Sequence, residues 1–225
     1  MPQVSELKHL EHNATIDYRY EMVRKGIHLF SLSIPVVYFF ISKQLTLSLL
    51  LPITAAFVLV DTARYYIPSV SEWFYRWFGW LLRRHETDTN HKRLNGASNV
   101  LIAATICVLL LPKVIVITAF TILIISDTTS ALIGRRFGKH RFLAKSLEGS
   151  LAFFISALIV VFIAPKISRL PAEYIIGIIA AAIGTVVEAL PIKIDDNLTI
   201  PIAVGFSLWG LYLLFLPALD LTQLM

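Results

Sequence analysis

Apolar stretches recur along this chain too often for a soluble core to hide them. VIVITAFTILII (114–125) and LAFFISALIVVFIA (151–164) are the plainest, and seven apolar segments can be marked, at roughly 26–42, 45–62, 97–111, 114–133, 149–165, 173–190 and 198–217. Of the 225 residues 56% are hydrophobic and 16% charged, whereas soluble domains carry about a quarter charged residues. Lipid is therefore the expected solvent. The reading is an all-α, multi-pass integral membrane bundle of about seven transmembrane helices, with residues 1–25 as a polar leading segment and 26–225 as one membrane-embedded domain. Several segments lie near the lower length limit for a span, about 17 residues. The third and fourth meet across Pro112 and Lys113 alone, so a re-entrant hairpin competes with two crossings there.

Charge orients the bundle. With the N-terminus inside, sixteen of the twenty Lys and Arg residues fall on the inner side, and only Lys43, Lys113, Lys166 and Arg169 fall outside. That is a strong positive-inside asymmetry, so the N-terminus is expected in the cytoplasm. The pI near 9.4 is accounted for by these loops, and no nucleic-acid partner is implied. Among the acids only Glu173 and Asp220 fall outside, which gives the inner face polar machinery of both signs.

Three local features complete the outline. SEWFYRWFGWLLRR (71–84) repeats Trp73, Phe74, Trp77, Phe78 and Leu81 at helical spacing, as expected of an amphipathic helix lying in the membrane interface. Its role is either anchoring or one wall of a lipid-substrate entrance. Cys107, the single cysteine, sits in an apolar run and reads as helix packing. The polar, mixed-charge start resembles neither a signal peptide nor a transit peptide, so the first apolar helix is expected to serve as the insertion signal. Together with the short length, this points to a prokaryotic cell membrane.

Acids inside such helices are costly and usually functional. Asp127 stands eight residues before Arg135–Arg136, about 12 Å inside that basic edge, on a face shared with Ser130, Ala131 and Gly134. The plainer alternative is a helix cap or a local arginine pair. Gly177, Ala181, Gly184 and Glu188 fall on one helical face, and small residues mark faces where helices approach closely, so Glu188 should point into the bundle. Beyond it, Asp195, Asp196 and Asn197 form an oxygen-rich run that suits Mg2+, although such residues are also ordinary turn formers.

The wet segment 126–150, SDTTSALIGRRFGKHRFLAKSLEGS, lies between the two greasy stretches named above. Gly134 and Gly138 allow close backbone approach to a ligand. Lys145, Ser146, Glu148 and Gly149 lead into the next helix, whose first N–H groups form an anion site, and a lysine beside it supplies charge for a phosphate. No P-loop, protein-kinase glycine loop or HRD set occurs. His85 and His91 have no metal-ligand company and read as solvent-exposed.

DTTSALIGRRFGKHRFLAKSLEGS (127–150) resembles a block of the CTP-dependent polyprenol and lipid kinases, which include dolichol kinase, phytol kinase and CTP-using diacylglycerol kinase. EALPIKIDDNLTIP (188–201) resembles a second block, RKGIH (24–28) a third and LNGA (94–97) a fainter fourth. The resemblance implies a membrane kinase moving the γ-phosphoryl of CTP to a lipid alcohol with Mg2+. Asp127 and Asp196, with Asp195, Glu188 and Asn197 beside them, would hold the metal and orient the hydroxyl. Lys145, Arg135, Arg136 and Lys139 would hold the triphosphate, helped by Ser146, Glu148, Gly149 and Gly134. Arg24, Lys25, His28 and Asn95 would complete the nucleotide site. For Arg24 and Lys25, snorkelling anchorage is the alternative; for His28 it is a hydrogen bond to a neighbouring helix. The first block is also similar to phosphatidate cytidylyltransferase, so a CTP:phosphatidate cytidylyltransferase is the second reading. An ion-coupled transporter is the third, though no internal inverted repeat supports it. The alcohol and the oligomeric state are left open.

Overall fold

The computed structural model describes residues 22–82 and 92–221. The segment through residue 21, with Lys8 and Arg19, and the loop carrying Arg83, Arg84, His85 and His91 lie outside them. The regular structure among the described residues is helical apart from one short ribbon. In chain order they form α1 (22–30), α2 (Ser33–Phe40), α3 (Lys43–Ala63), α4 (Pro68–Phe78), α5 (Gly96–Leu110), α6 (Lys113–Phe137), β1 (Arg141–Phe142), β2 (Lys145–Ser146), α7 (Leu147–Ile163), α8 (Pro171–Ala189) and α9 (Asp196–Phe215).

Most segment boundaries match the apolar pattern within a few residues, but the first does not. The expected span 26–42 is two helices broken at residues 31–32. Pro35 explains the break, because a proline cannot donate to the carbonyl four residues back and its ring clashes with it. The Ser31 carbonyl instead accepts from Ile34 N at 3.0 Å, and the Ser31 and Leu32 amides bond three residues back, to His28 and Leu29. The amphipathic helix is also displaced. Pro68, pre-set for a first helical turn, starts α4 three residues before the expected 71, and the α-helix ends at Phe78 before a short 3-10 turn at Gly79–Leu81.

Among the described residues four helices are long and apolar enough to cross a membrane: α3, α6, α8 and α9. Helices α5 and α7 are apolar but have 15 and 17 residues. Seven expected spans thus become four that length and composition support, two short apolar helices and one broken segment. The periphery carries exposed Phe40, Leu59, Phe162, Ile163 and Leu214, far more apolar surface than a soluble monomer leaves uncovered. This is a membrane protein.

Helix α6 is the axis, buried along most of its first two-thirds. Helices α2, α7 and α9 pack on it, α8 packs on α7 and α9, and α5 lies between α3 and α9. Gly177, Ala181, Gly184 and Glu188 are all buried along α8, as their spacing predicts.

The α6–α7 crossing depends on missing side chains. A Cβ on Gly149 would sit 3.0 Å from Ser146 Oγ, 3.1 Å from the Ser130 carbonyl oxygen and 3.2 Å from Gly134 Cα. Two of those neighbours are backbone and cannot swing away. Gly149→Ala should therefore cost about 1–3 kcal/mol of overpacking, read as a lower thermal midpoint in detergent. An unchanged midpoint would mean that α6 and α7 separate freely.

Candidate functional site

Asp127 lies ten residues before the end of α6, about 15 Å along its axis, and is 6% exposed. Lys25 Nζ donates to its Oδ2, and His28 Nε2 lies 3.6 Å from the same oxygen. Lys25 and His28 are three apart on α1, which puts them on one face. Lys25 is itself 4% exposed, so its stem does not snorkel outward. It is one half of a buried ion pair spanning 102 residues of sequence.

Lys145 forms the second pair. Its Nζ donates to Asp196 Oδ2 at 3.0 Å and lies 3.3 Å from Glu188 Oε1. The same Glu188 oxygen accepts from Ser130 Oγ at 2.9 Å. Burial works to lower the Lys145 pKa, but Asp196 and Glu188 outweigh it and hold the ammonium above the usual lysine range. It therefore stays charged at neutral pH. Asp127 is within electrostatic reach of Lys145 and Asp196, which joins the two pairs into one cluster. Three carboxylates face two lysines, a formal excess of one negative charge.

The ribbon explains how Lys145 gets there. Phe142 pairs with Lys145 and Arg141 with Ser146 in antiparallel register. The turn holds Leu143 at φ 51°, a left-handed conformation that costs a non-glycine residue about 1–2 kcal/mol. The strain is held because Ala144 N donates to the Ala189 carbonyl at 3.0 Å, fastening the turn to the end of α8. At the ribbon's base, Glu148 accepts from the His140 amide, lies 2.8 Å from His140 Nδ1 and acts as a clasp.

The other sequence candidates lie around this cluster and at its edges. Ser146 Oγ caps α7 by accepting from Gly149 N, and Leu147 N donates to the His140 carbonyl, so the chain itself uses these amides of the expected anion site. A Cβ on Gly134 or Gly138 would meet Ser146 within 3.0 Å; these glycines make room for the ribbon's end. Arg135, Arg136 and Lys139 are exposed at the end of α6. Asp195 caps α9, its Oδ1 accepting from Asn197 N at 2.9 Å. Asn197 is buried, with Nδ2 3.5 Å from the Gly96 carbonyl.

The donors suit one kind of magnesium site. Mg2+ takes one or two protein carboxylates and fills its other positions with water and substrate phosphates. Among the described residues no three acid, His or Cys side chains converge as a cage. Asp127 and Asp196 offer two carboxylates, and Glu188 Oε2 is buried with no hydrogen-bond partner among the described residues, an arrangement costly unless a cation or donor comes to it. Asp127 and Asp196 would suit Mg2+ as a two-carboxylate set, with water and phosphate oxygens supplying its other ligands.

Beside the cluster lies a cavity of about 490 Å3 between α1, α3, α4 and α5. Arg24, Lys25, His28, Asn95, Asp127 and Asn197 form its polar part; Phe57, Val60, Trp73, Phe74 and Phe78 are among its apolar walls.

Sequence reasoning missed what holds those walls. Asp61 and Arg64, both about 98% buried, pair at 2.8 Å near the end of α3. Asp61 Oδ2 accepts from Asn95 N at 2.7 Å, and the Arg64 guanidinium donates to the Arg93 carbonyl at 3.0 Å. Arg64 also stacks 4.7 Å from the ring centres of Tyr65 and Phe74. This pair ties α3, α4 and the 92–95 segment together, while Asn95 Oδ1 caps α5 by accepting from Ser98 N. The signal was available: Asp61 is an acid at the end of an apolar run, as Asp127 is.

The polar groups gather at one end of the bundle. On α8, Glu188 and Glu173 are fifteen residues and about 22 Å apart; Glu173 closes the other end by accepting from the amides of Ile167, Ser168 and Leu170 and from Tyr212 OH. Fold and site thus define a helical membrane protein with a buried Lys25–Asp127 pair and a partly exposed Lys145–Asp196 pair at one end. The chain is 30% identical over 195 residues to an uncharacterised protein of Rickettsia prowazekii, covering 86% of this chain and 95% of that one. It is 31% identical over 192 residues to an uncharacterised protein of Methanocaldococcus jannaschii, covering 83% and 91%. The chain belongs to the family of these two proteins. A more distant relative, CTP-dependent diacylglycerol kinase 1 of Schizosaccharomyces pombe, is 28% identical over 164 residues, 66% of this chain and 73% of that protein. No family model matches the chain, and no solved structure matches it.

Proposed function

We propose that this protein is a membrane lipid kinase that transfers the γ-phosphoryl group of CTP to a lipid alcohol, with Mg2+ as the metal. The observation that carries the reading is the coupled pair of ion pairs, Lys25–Asp127 and Lys145–Asp196/Glu188, at one end of an apolar bundle. The distant likeness to a CTP-dependent diacylglycerol kinase supports the donor and the acceptor class.

Phosphoryl transfer asks for positioning and charge neutralisation more than for covalent chemistry. In this reading Lys145 leaves its carboxylates for the triphosphate, and Arg135, Arg136 and Lys139 add charge from the exposed end of α6. Asp127 and Asp196 would hold magnesium, which neutralises phosphate charge that the acidic cluster alone repels. Asp127 accepts the proton of the lipid hydroxyl as its oxygen attacks the γ-phosphorus. The bond from that phosphorus to the β,γ-bridging oxygen breaks, and CDP leaves. Seven crossings with the N-terminus and the site on the cytoplasmic side of a cell membrane belong to the same proposal.

Purified protein in detergent with Mg2+ is to be offered CTP, ATP or UTP and a panel of diacylglycerol and isoprenoid alcohols. CDP release that requires a lipid alcohol is expected. Nucleotide turnover indifferent to lipid, or none with any pair, would sink the reading.

A further inference from the structure

The cavity between α1, α3, α4 and α5 differs from its surroundings in having two unlike ends. Its polar part contains Lys25, Asp127 and Asn197, each at least nine-tenths buried. Its apolar part includes Phe57, Trp73 and Phe78, which keep part of their surface uncovered. One cavity thus joins apolar walls from α3 and α4 to a polar end that includes Asp127. Lys145, Glu188 and Asp196 do not line it. Asp127 lines the cavity while also lying within electrostatic reach of the ribbon lysine.

Resting on the kinase reading above, we propose that this cavity is a lateral port that presents the acceptor lipid's hydroxyl to Asp127. It encloses only the headgroup and the first part of the chain. A cavity of about 490 Å3 is in the range that encloses a drug-sized molecule, about 300–1,000 Å3. A long-chain alcohol exceeds that, so the remainder stays in the bilayer. Selectivity then follows bulk near the hydroxyl and is indifferent to chain length beyond the port. Helix α4 is a wall of the port, and the Asp61–Arg64 pair holds that wall in place.

The test uses two photoreactive long-chain alcohols, one with its diazirine near the hydroxyl and one with it near the far end. The full-length protein in phospholipid vesicles is irradiated with each, and the labelled peptides are mapped. The near probe should label α3 around Phe57 and α4 around Trp73, and excess unlabelled alcohol should suppress this where excess phospholipid does not. The far probe should label the periphery without competition. Ala56→Trp, which fills the cavity from α3, should abolish near-probe labelling and raise the alcohol KM at least about tenfold with the CTP KM unchanged. Near-probe labelling confined to α7 or α8, or equal suppression by phospholipid, would overturn the port; so would full labelling in Ala56→Trp. Because labelling of the native protein needs no turnover, the two claims separate. Competed labelling without transfer keeps the port and removes the kinase, whereas transfer without labelling of α3 and α4 does the reverse.

Discussion

Asp127→Asn is expected to lower lipid-dependent transfer at least about a thousandfold, since on the kinase proposal it would remove both a metal carboxylate and the group that takes the hydroxyl proton. The substitution also leaves Lys25 buried without its counter-charge, and breaking such a pair costs about 3–5 kcal/mol. Loss of activity alone would then not distinguish chemistry from unfolding. The double variant Asp127→Asn, Lys25→Met separates them, because it removes both charges and keeps the volume close. Its thermal midpoint should return toward that of the native protein while transfer stays lost. Recovery of transfer along with stability would show that Asp127 only holds Lys25, and would remove it from the mechanism.

Lys145→Ala should raise the CTP KM about ten- to a hundredfold while the lipid KM stays within about twofold. A charged hydrogen bond contributes about 1.5–3 kcal/mol, and each 1.4 kcal/mol is about tenfold. The effect has a second part, because Asp196 and Glu188 then stand unneutralised where phosphate must arrive. Lys145→Arg keeps the charge on a longer, planar head, so partial recovery is expected. The native ammonium is held above the usual lysine range, so the CTP KM should show no break from this residue between about pH 6 and pH 9. An unchanged nucleotide dependence in Lys145→Ala would move the triphosphate elsewhere.

What was legible in the sequence follows the range of the interactions. Helices α6 to α9 were readable because their apolar runs are long and are separated by short polar segments close in sequence. The break in the first span was also local: Pro35 carried the signal, but apolar continuity outweighed it. The inward acids Asp127 and Glu188 stood out because a carboxylate in an apolar run needs a partner. Which partner was not readable, because Lys25 lies 102 residues from Asp127 and Lys145 lies 51 from Asp196. A lysine at a helix start reads as an anchor until the bundle assembles around it. The glycines of 134–149 were read as ligand-facing because sequence shows a missing side chain and not what fills the space. Here Ser146 and the facing helix fill it. The Asp61–Arg64 clamp escaped because Arg64 was counted only as a loop charge.

The central claim is that one phosphoryl group, and not the nucleotide, moves to the lipid. The direct measurement supplies CTP labelled either at the γ-phosphate or at the α-phosphate, with Mg2+ and either a lipid alcohol or phosphatidate, and then extracts the lipid. γ-Label on the alcohol, no α-label on any lipid and CDP left in the water are expected. α-Label on phosphatidate with release of pyrophosphate would contradict the claim and make the protein a cytidylyltransferase.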